Sequence, residues 1–189
     1  MRLFAAVLPP DPAVAELGLA VDRLRGMPGA ERLRWTGRDG WHFTLAFMGE
    51  VDEHLVPELR VRLARAAHRT EQFTLRLHQG GRFGRRALWA GAAGGLDGMR
   101  LLAERADAAA RRSGIDMDEH RGYHAHLTIA RAREDADLRP YVEALDDFEG
   151  TPWPVAELAL VRSNLPGGSV PGAQPRYEVV ESWPLKPAG

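Results

Sequence analysis

The sequence predicts an α+β fold of mainly antiparallel sheet, in two pseudo-symmetric lobes with helices outside and a cleft between. Three observations predict it. Apolar runs with strand and helix periods alternate along all 189 residues, but not in the strict βαβ order of a parallel sheet. No glycine-rich nucleotide loop follows the first strand. A short pattern, His-x-Thr-aliphatic, occurs twice, at 42–45 and 126–129, each time in a strand-like run that leads to a helix. Duplication with one motif per lobe is the simplest account, and residues 1–189 are expected to form one bilobal domain.

The elements follow in order. Leu3 to Leu8 is a continuous apolar run closed by Pro9-Pro10, a buried strand. Val14, Leu17, Val21 and Leu24 recur at helical spacing, with Gly26 as the stop. A strand at 31–36 leads through Gly40 into WHFTLAFMGE, the strand at 41–50. Leu55, Leu59 and Leu63 mark a second helix, with Arg60, Arg62, Arg65 and Arg69 on its wet side. Phe73, Leu75 and Leu77 alternate with Thr74, Arg76 and His78 as in a half-exposed strand. GGRFGRRALWAG turns back into a strand near Leu88 and Trp89. Leu96, Met99, Ala103, Ala106 and Ala110 stripe a third helix that Gly114 closes. The strand HAHLTIAR follows, then a short helix over Leu138 to Leu145. Strands near 155–162 and 176–183 flank the loop PGGSVPGAQP.

Composition narrows the function. With 25 basic against 26 acidic residues the net charge is −1, so there is no chain-wide basic field, though a local basic patch is compatible. Lys186 is the single lysine; codon bias explains the arginine excess, which carries no functional weight. The chain has no cysteine, which excludes disulfides, thiolate zinc sites and cysteine nucleophiles and suits the cytoplasm. The apolar start is cut short by Pro9, Pro10 and Asp11, and no apolar span of about 18 residues follows. A soluble, cytoplasmic protein is expected.

Side chains alternate across a strand, so His42 and Thr44 share one face while Phe43, Leu45 and Phe47 are expected on the other. His126 and Thr128 are likewise set against Leu127 and Ile129. One such motif alone reads as a satisfied core histidine. Two copies at like positions point instead to a shared site. In-line displacement at phosphorus uses such a set, a base on one side and an acid on the other. Histidine serves in either form near neutral pH, and threonine hydroxyls can hold the non-bridging oxygens. Ring strain in a cyclic phosphodiester lets this proceed without a metal or a covalent intermediate.

HFTL at 42–45 and HLTI at 126–129 resemble the paired HxTx motifs of the 2H phosphoesterase superfamily. The similarity is greatest to its RNA 2′,3′-cyclic phosphodiesterase branch, also called the 2′-5′ RNA ligase family. It extends over LFAAVLPP, WHFTLAFMGEV, GRFGRRALWAG, HLTIAR and ELALVRSNL…YEVVESWPL. The resemblance implies that His42 is the proton donor to the leaving oxygen and His126 the acceptor that activates water. Thr44 and Thr128 would grip the phosphate. The reaction implied is opening of a terminal 2′,3′-cyclic phosphate to a 2′-phosphomonoester, in some members also the reverse 2′-5′ joining of RNA ends, with no cofactor. The partners implied are RNA ends, tRNA fragments among them, or small cyclic nucleotides; a monomer with no membrane partner is expected.

Where relatives often carry proline before the second motif histidine, this chain has His124-Ala125. His124 shares the face of His126 and either tunes the base, touches the ligand or is a solvated strand end. His124 and His126 also spell His-x-His, but with no evident third ligand no metal is expected. Arg131 ends the second motif as in relatives and is a phosphate candidate, although strict alternation puts it on the face away from His126. Arg82, Phe83, Arg85 and Arg86 are candidates to stack a terminal base and steady phosphates, or form an exposed hairpin tip. His54, His68, His78 and His120 are read as surface residues, and Ser163 and Tyr177 have no assigned role. The alternatives are a 2H enzyme for small cyclic nucleotides or ADP-ribose cyclic phosphate, and a non-catalytic RNA-end binding module.

Overall fold

The computed structural model describes residues 1–119, 122–166 and 173–189. Its strands are β1 (Arg2–Val7), β2 (Leu33–Trp35), β3 (Phe43–Glu50), β4 (Phe73–Phe83), β5 (Ala87–Gly94), β6 (Leu127–Ala132), β7 (Trp153–Val155), β8 (Glu157–Asn164) and β9 (Arg176–Pro184). The helices are α1 (Asp11–Arg25), α2 (Val56–Arg69), α3 (Leu96–Arg112) and α4 (Arg139–Ala144). Two antiparallel sheets result, one in the order β3-β1-β8-β9, the other β2-β6-β5-β4-β7. The expected α+β architecture is the one observed. His120 and residues 167–172 of the expected loop PGGSVPGAQP lie outside the described residues.

The two sheets are backed by different helices. α2 meets β8, β9 and α3, and α3 also meets β3; α1 and α4 meet β4. The continuous apolar run of β1 is explained by burial on both faces. Leu3, Ala5 and Val7 join the main core, whereas Phe4 and Ala6 pack with Ala159 and Val161 in a second small cluster. Phe4 therefore belongs to the floor of the cleft, whose lining it shares.

One expected element divides in two. The strand near 155–162 is β7 and β8 with Ala156 between them, so the chain crosses there from one sheet to the other. Pro154 gives the reason: proline has no N–H to donate, and β7 is confined to a sheet edge, paired among the described residues only with β4. The β4–β5 hairpin is longer than the alternation indicated. It reaches Phe83 before turning at Gly84, whose φ of 56° suits glycine. Among the described residues no helix is long and apolar enough to cross a membrane.

Candidate active site

Both motif histidines sit one residue ahead of their strands, not inside them. The cause is local and the same in each half. His42 Nδ1 lies 2.7 Å from the carbonyl of Gly40, and His126 Nδ1 lies 2.8 Å from the carbonyl of His124. Each ring thus donates Nδ1–H to the carbonyl two residues back. That tautomer leaves Nε2 as the atom free to take or give a proton. The next residues anchor the strands: Phe43, Leu127 and Ile129 are fully buried. Truncating Phe43 or Leu127 to alanine would cost about 2–5 kcal/mol of stability.

The strand behind each threonine is bulged. Thr44 pairs with Ala6 and Ala46 with Ala5, so Leu45 is an extra residue in β3. Thr128 pairs with Trp89 and Ala130 with Leu88, so Ile129 is an extra residue in β6. A bulge reverses the alternation beyond it. Phe47, opposite Phe4, and Arg131, opposite Ala87, therefore return to the face of the histidines. Both line the cleft, which corrects the expectation from strict alternation for each.

That cleft has a volume of about 370 Å³, the size of a small-ligand site. It brings together His42, Thr44, His126 and Thr128 from the two sheets. His42 Nε2 lies 2.9 Å from Thr44 Oγ1, so the threonine hydroxyl donates to the neutral ring. Phe4 covers His42 at a ring-centroid distance of 4.6 Å, and Tyr177 meets it edge-on at 5.3 Å. Phe83 meets His126 edge-on at 4.7 Å.

Burial pushes both imidazoles below their ordinary value, against the pull of their carbonyl hydrogen bonds. For His42 the field of His126 and then that of Arg131 add to the lowering; for His126 the fields of His124 and Arg131 do. The two rings feel a common cation, Arg131, and among the described residues no carboxylate lines the cleft. Arg2 and Arg34 complete its basic lining.

The other candidates are placed elsewhere. His124 is exposed and turns to Trp89, with ring centroids 4.8 Å apart. Its side chain borders a separate cavity with Tyr123 and His78. Arg85 and Arg86 do not line the cleft; they form the hairpin tip, and Arg85 acts electrostatically on Asp137. His78 is half-buried and lies 3.4 Å from Glu149, not a plain surface residue. His54 and His68 are exposed. Among the described residues no group of three or more His, Cys, Asp or Glu could hold a metal ion.

Residues missed in the sequence include Arg2, Phe4, Arg34 and Gln174, all of which line the cleft, as do Ser163 and Tyr177. Gln174 is tied across the chain: its side-chain oxygen accepts from Gly37 N–H at 2.9 Å and its amide donates to the Trp35 carbonyl. An Arg at the start of β1 carries no signal of its own; only the pairing of strands reveals where it points.

The sequence profile of the 2′-5′ RNA ligase superfamily matches residues 9–166. The chain belongs to that superfamily. Among superfamily relatives, an RNA 2′,3′-cyclic phosphodiesterase of Thermus thermophilus is 32% identical, the match covering 98% of this chain and 91% of the relative. The crystal structure of TT0787 from Thermus thermophilus superposes with a TM-score of 0.78 at 28% identity, over 100% of both chains. Escherichia coli LigT complexed with 3′-AMP superposes with a TM-score of 0.75 at 28% identity, over 97% of both.

Proposed function

We propose that the protein hydrolyses the terminal 2′,3′-cyclic phosphate of RNA to a 2′-phosphomonoester by two-histidine acid/base catalysis without a metal. The observation that carries this is the matched pair of imidazoles in one cleft, each with Nδ1 tied to a carbonyl and a threonine beside it. The superfamily membership and the relatives named for this activity support it.

Water enters on the His126 side. Nε2 of His126 takes a proton as the water oxygen attacks phosphorus, and the bond from phosphorus to the ribose 3′ oxygen breaks. His42, protonated at Nε2, returns a proton to that oxygen, so the product is a 2′-phosphate and a 3′-hydroxyl. Thr44, Thr128 and Arg131 face the non-bridging oxygens, where charge accumulates in the transition state. In the resting protein burial disfavours the imidazolium form of both rings, and Thr44 donates to the neutral His42. An incoming phosphate anion takes over that hydroxyl, and its charge favours protonation of His42. Joining the cyclic end to a 5′-hydroxyl runs in the same direction: His126 takes the proton of that hydroxyl in place of water, His42 protonates the leaving 3′ oxygen, and a 2′-5′ linkage with a free 3′-hydroxyl results.

His124 contributes its carbonyl to orienting His126, and Phe83 walls that ring. The substrates are RNA ends, tRNA fragments among them, handled in the cytoplasm by a monomer that needs no cofactor.

The test is incubation of an oligonucleotide ending in a 2′,3′-cyclic phosphate with wild type, His42→Ala and His126→Ala, with and without EDTA. Wild type should release the 2′-phosphate in either condition, and each variant should lose about 10²–10⁴-fold in rate. Release of the 3′-phosphate, dependence on a divalent ion, or full activity in either variant would overturn the proposal. Tight binding of the cyclic end without turnover would instead mark a binding module.

A further inference from the structure

Arg34 and Arg131 are Cα partners on neighbouring strands β2 and β6, directly opposite one another, and both line the cleft. Like charges placed opposite each other on a sheet repel. No carboxylate of the cleft separates them, and neither has an ion pair among the described residues. The strand that carries Arg34 is nevertheless held firmly. Leu33 is buried on one side of it, Trp35 donates its indole N–H to the Ala30 carbonyl at 2.9 Å, and Thr36 N–H donates to the Ile129 carbonyl at 2.9 Å. The backbone thus fixes an exposed guanidinium beside a second one in a site without acids.

The charge of Arg131 disfavours both imidazolium forms. A cyclic phosphate carries one negative charge, which Arg131 matches. One guanidinium is enough for that charge, which leaves the second, Arg34, with the capacity to hold a further anion. In a nucleotide with a cyclic end the next anion is the phosphate on the 5′ side of the same ribose.

We infer that Arg34 is a specificity residue that binds a second phosphate, one ribose removed from the cyclic one. The protein then favours cyclic ends carrying a 5′ phosphate or phosphodiester over a nucleoside 2′,3′-cyclic phosphate with a free 5′-hydroxyl. This rests on the proposed cyclic phosphodiesterase reading and names its substrate class. An RNA end and an ADP-ribose cyclic phosphate share this chemistry.

The experiment compares kcat/KM for adenosine 2′,3′-cyclic phosphate with and without a 5′-phosphate, using wild type, Arg34→Gln and Arg34→Lys. Wild type should prefer the 5′-phosphorylated form about tenfold, Arg34→Gln should bring the ratio close to one, and Arg34→Lys should fall between, since lysine keeps the charge but not the fork. A dinucleotide with a cyclic end and ADP-ribose 1″,2″-cyclic phosphate separate the two sources. Calorimetric binding of adenosine 2′,5′-bisphosphate against adenosine 2′-monophosphate gives the same comparison without turnover. An equal preference in wild type and Arg34→Gln in both assays overturns the assignment. A preference in binding that Arg34→Gln abolishes, with no turnover of either cyclic substrate, leaves Arg34 assigned and removes the hydrolytic reading.

Discussion

Phe47 and Arg131 stand at corresponding places in the two halves of the cleft, each at the same spacing behind its motif histidine and each turned inward by a bulge. One half thereby presents an aromatic ring, over which the Arg2 guanidinium lies 4.8 Å from the centroid. The other presents a cation close enough to act on both imidazoles. The pseudo-symmetry of the motifs is thus broken at this position: both rings feel the field of Arg131, which belongs to a single strand.

The pH dependence follows from this. His126 must be neutral and His42 protonated for the proposed reaction, and burial holds both below the ordinary imidazole value of about 6.5. Both limbs of the kcat/KM profile should lie on the acid side, with the maximum below about 6.5. Arg131→Gln removes a charge that disfavours both imidazolium forms, so its profile should move to higher pH. A maximum well above neutrality, or an acid shift in the variant, contradicts the assignment.

Stability should respond to the same groups. The unfolded chain binds protons at about pH 6.5 while the folded rings resist them to lower pH. Their contribution is therefore complete above that value and is lost as the pH falls. The thermal midpoint should decline on acidification, and less steeply in a His42→Asn, His126→Asn double variant.

Thr44→Val tests the hydroxyl that contacts His42 at 2.9 Å. Loss of one transition-state donor should lower kcat by about 10²-fold. Folding stability should change by only about 1 kcal/mol, the net worth of a hydrogen bond. Steady-state kinetics and denaturant unfolding measure the two effects separately; a fall in stability that accounts for the lost activity would mean a structural role.

Gln174→Leu should loosen the segment from Trp35 to Gly37, which Gln174 joins to the approach to β9. Two hydrogen bonds are lost, for a destabilisation of about 1–3 kcal/mol. Because that segment leads directly to His42, kcat/KM should fall as well. Unchanged unfolding in urea would show that the side chain holds nothing.

Phe83→Ala removes the ring that stands edge-on to His126. With less burial, the imidazole should protonate more readily, and the acid limb of the kcat/KM profile should move up in pH. An unmoved acid limb would count against the contact.

Periodicity was enough for most elements because each buries a continuous face, as with Leu59 and Leu63 in α2 or Met99, Ala103 and Ala106 in α3. It failed at Ala156, where one apolar run serves two sheets, since local alternation does not record which partner a strand pairs with. It failed again at Phe47 and Arg131. A bulge is decided by register against β1 or β5, not by the residues Leu45 and Ile129 themselves.

By itself, then, the order of residues determined that two histidine–threonine pairs exist, each flanked by apolar side chains that must be buried, because a strand forces neighbours to opposite faces. Tertiary structure alone decided what surrounds them. Arg2, Arg34, Phe4 and Tyr177 reach the cleft only because distant strands pair and bring their faces together, and the fields that lower the imidazoles act through space between residues far apart in the chain.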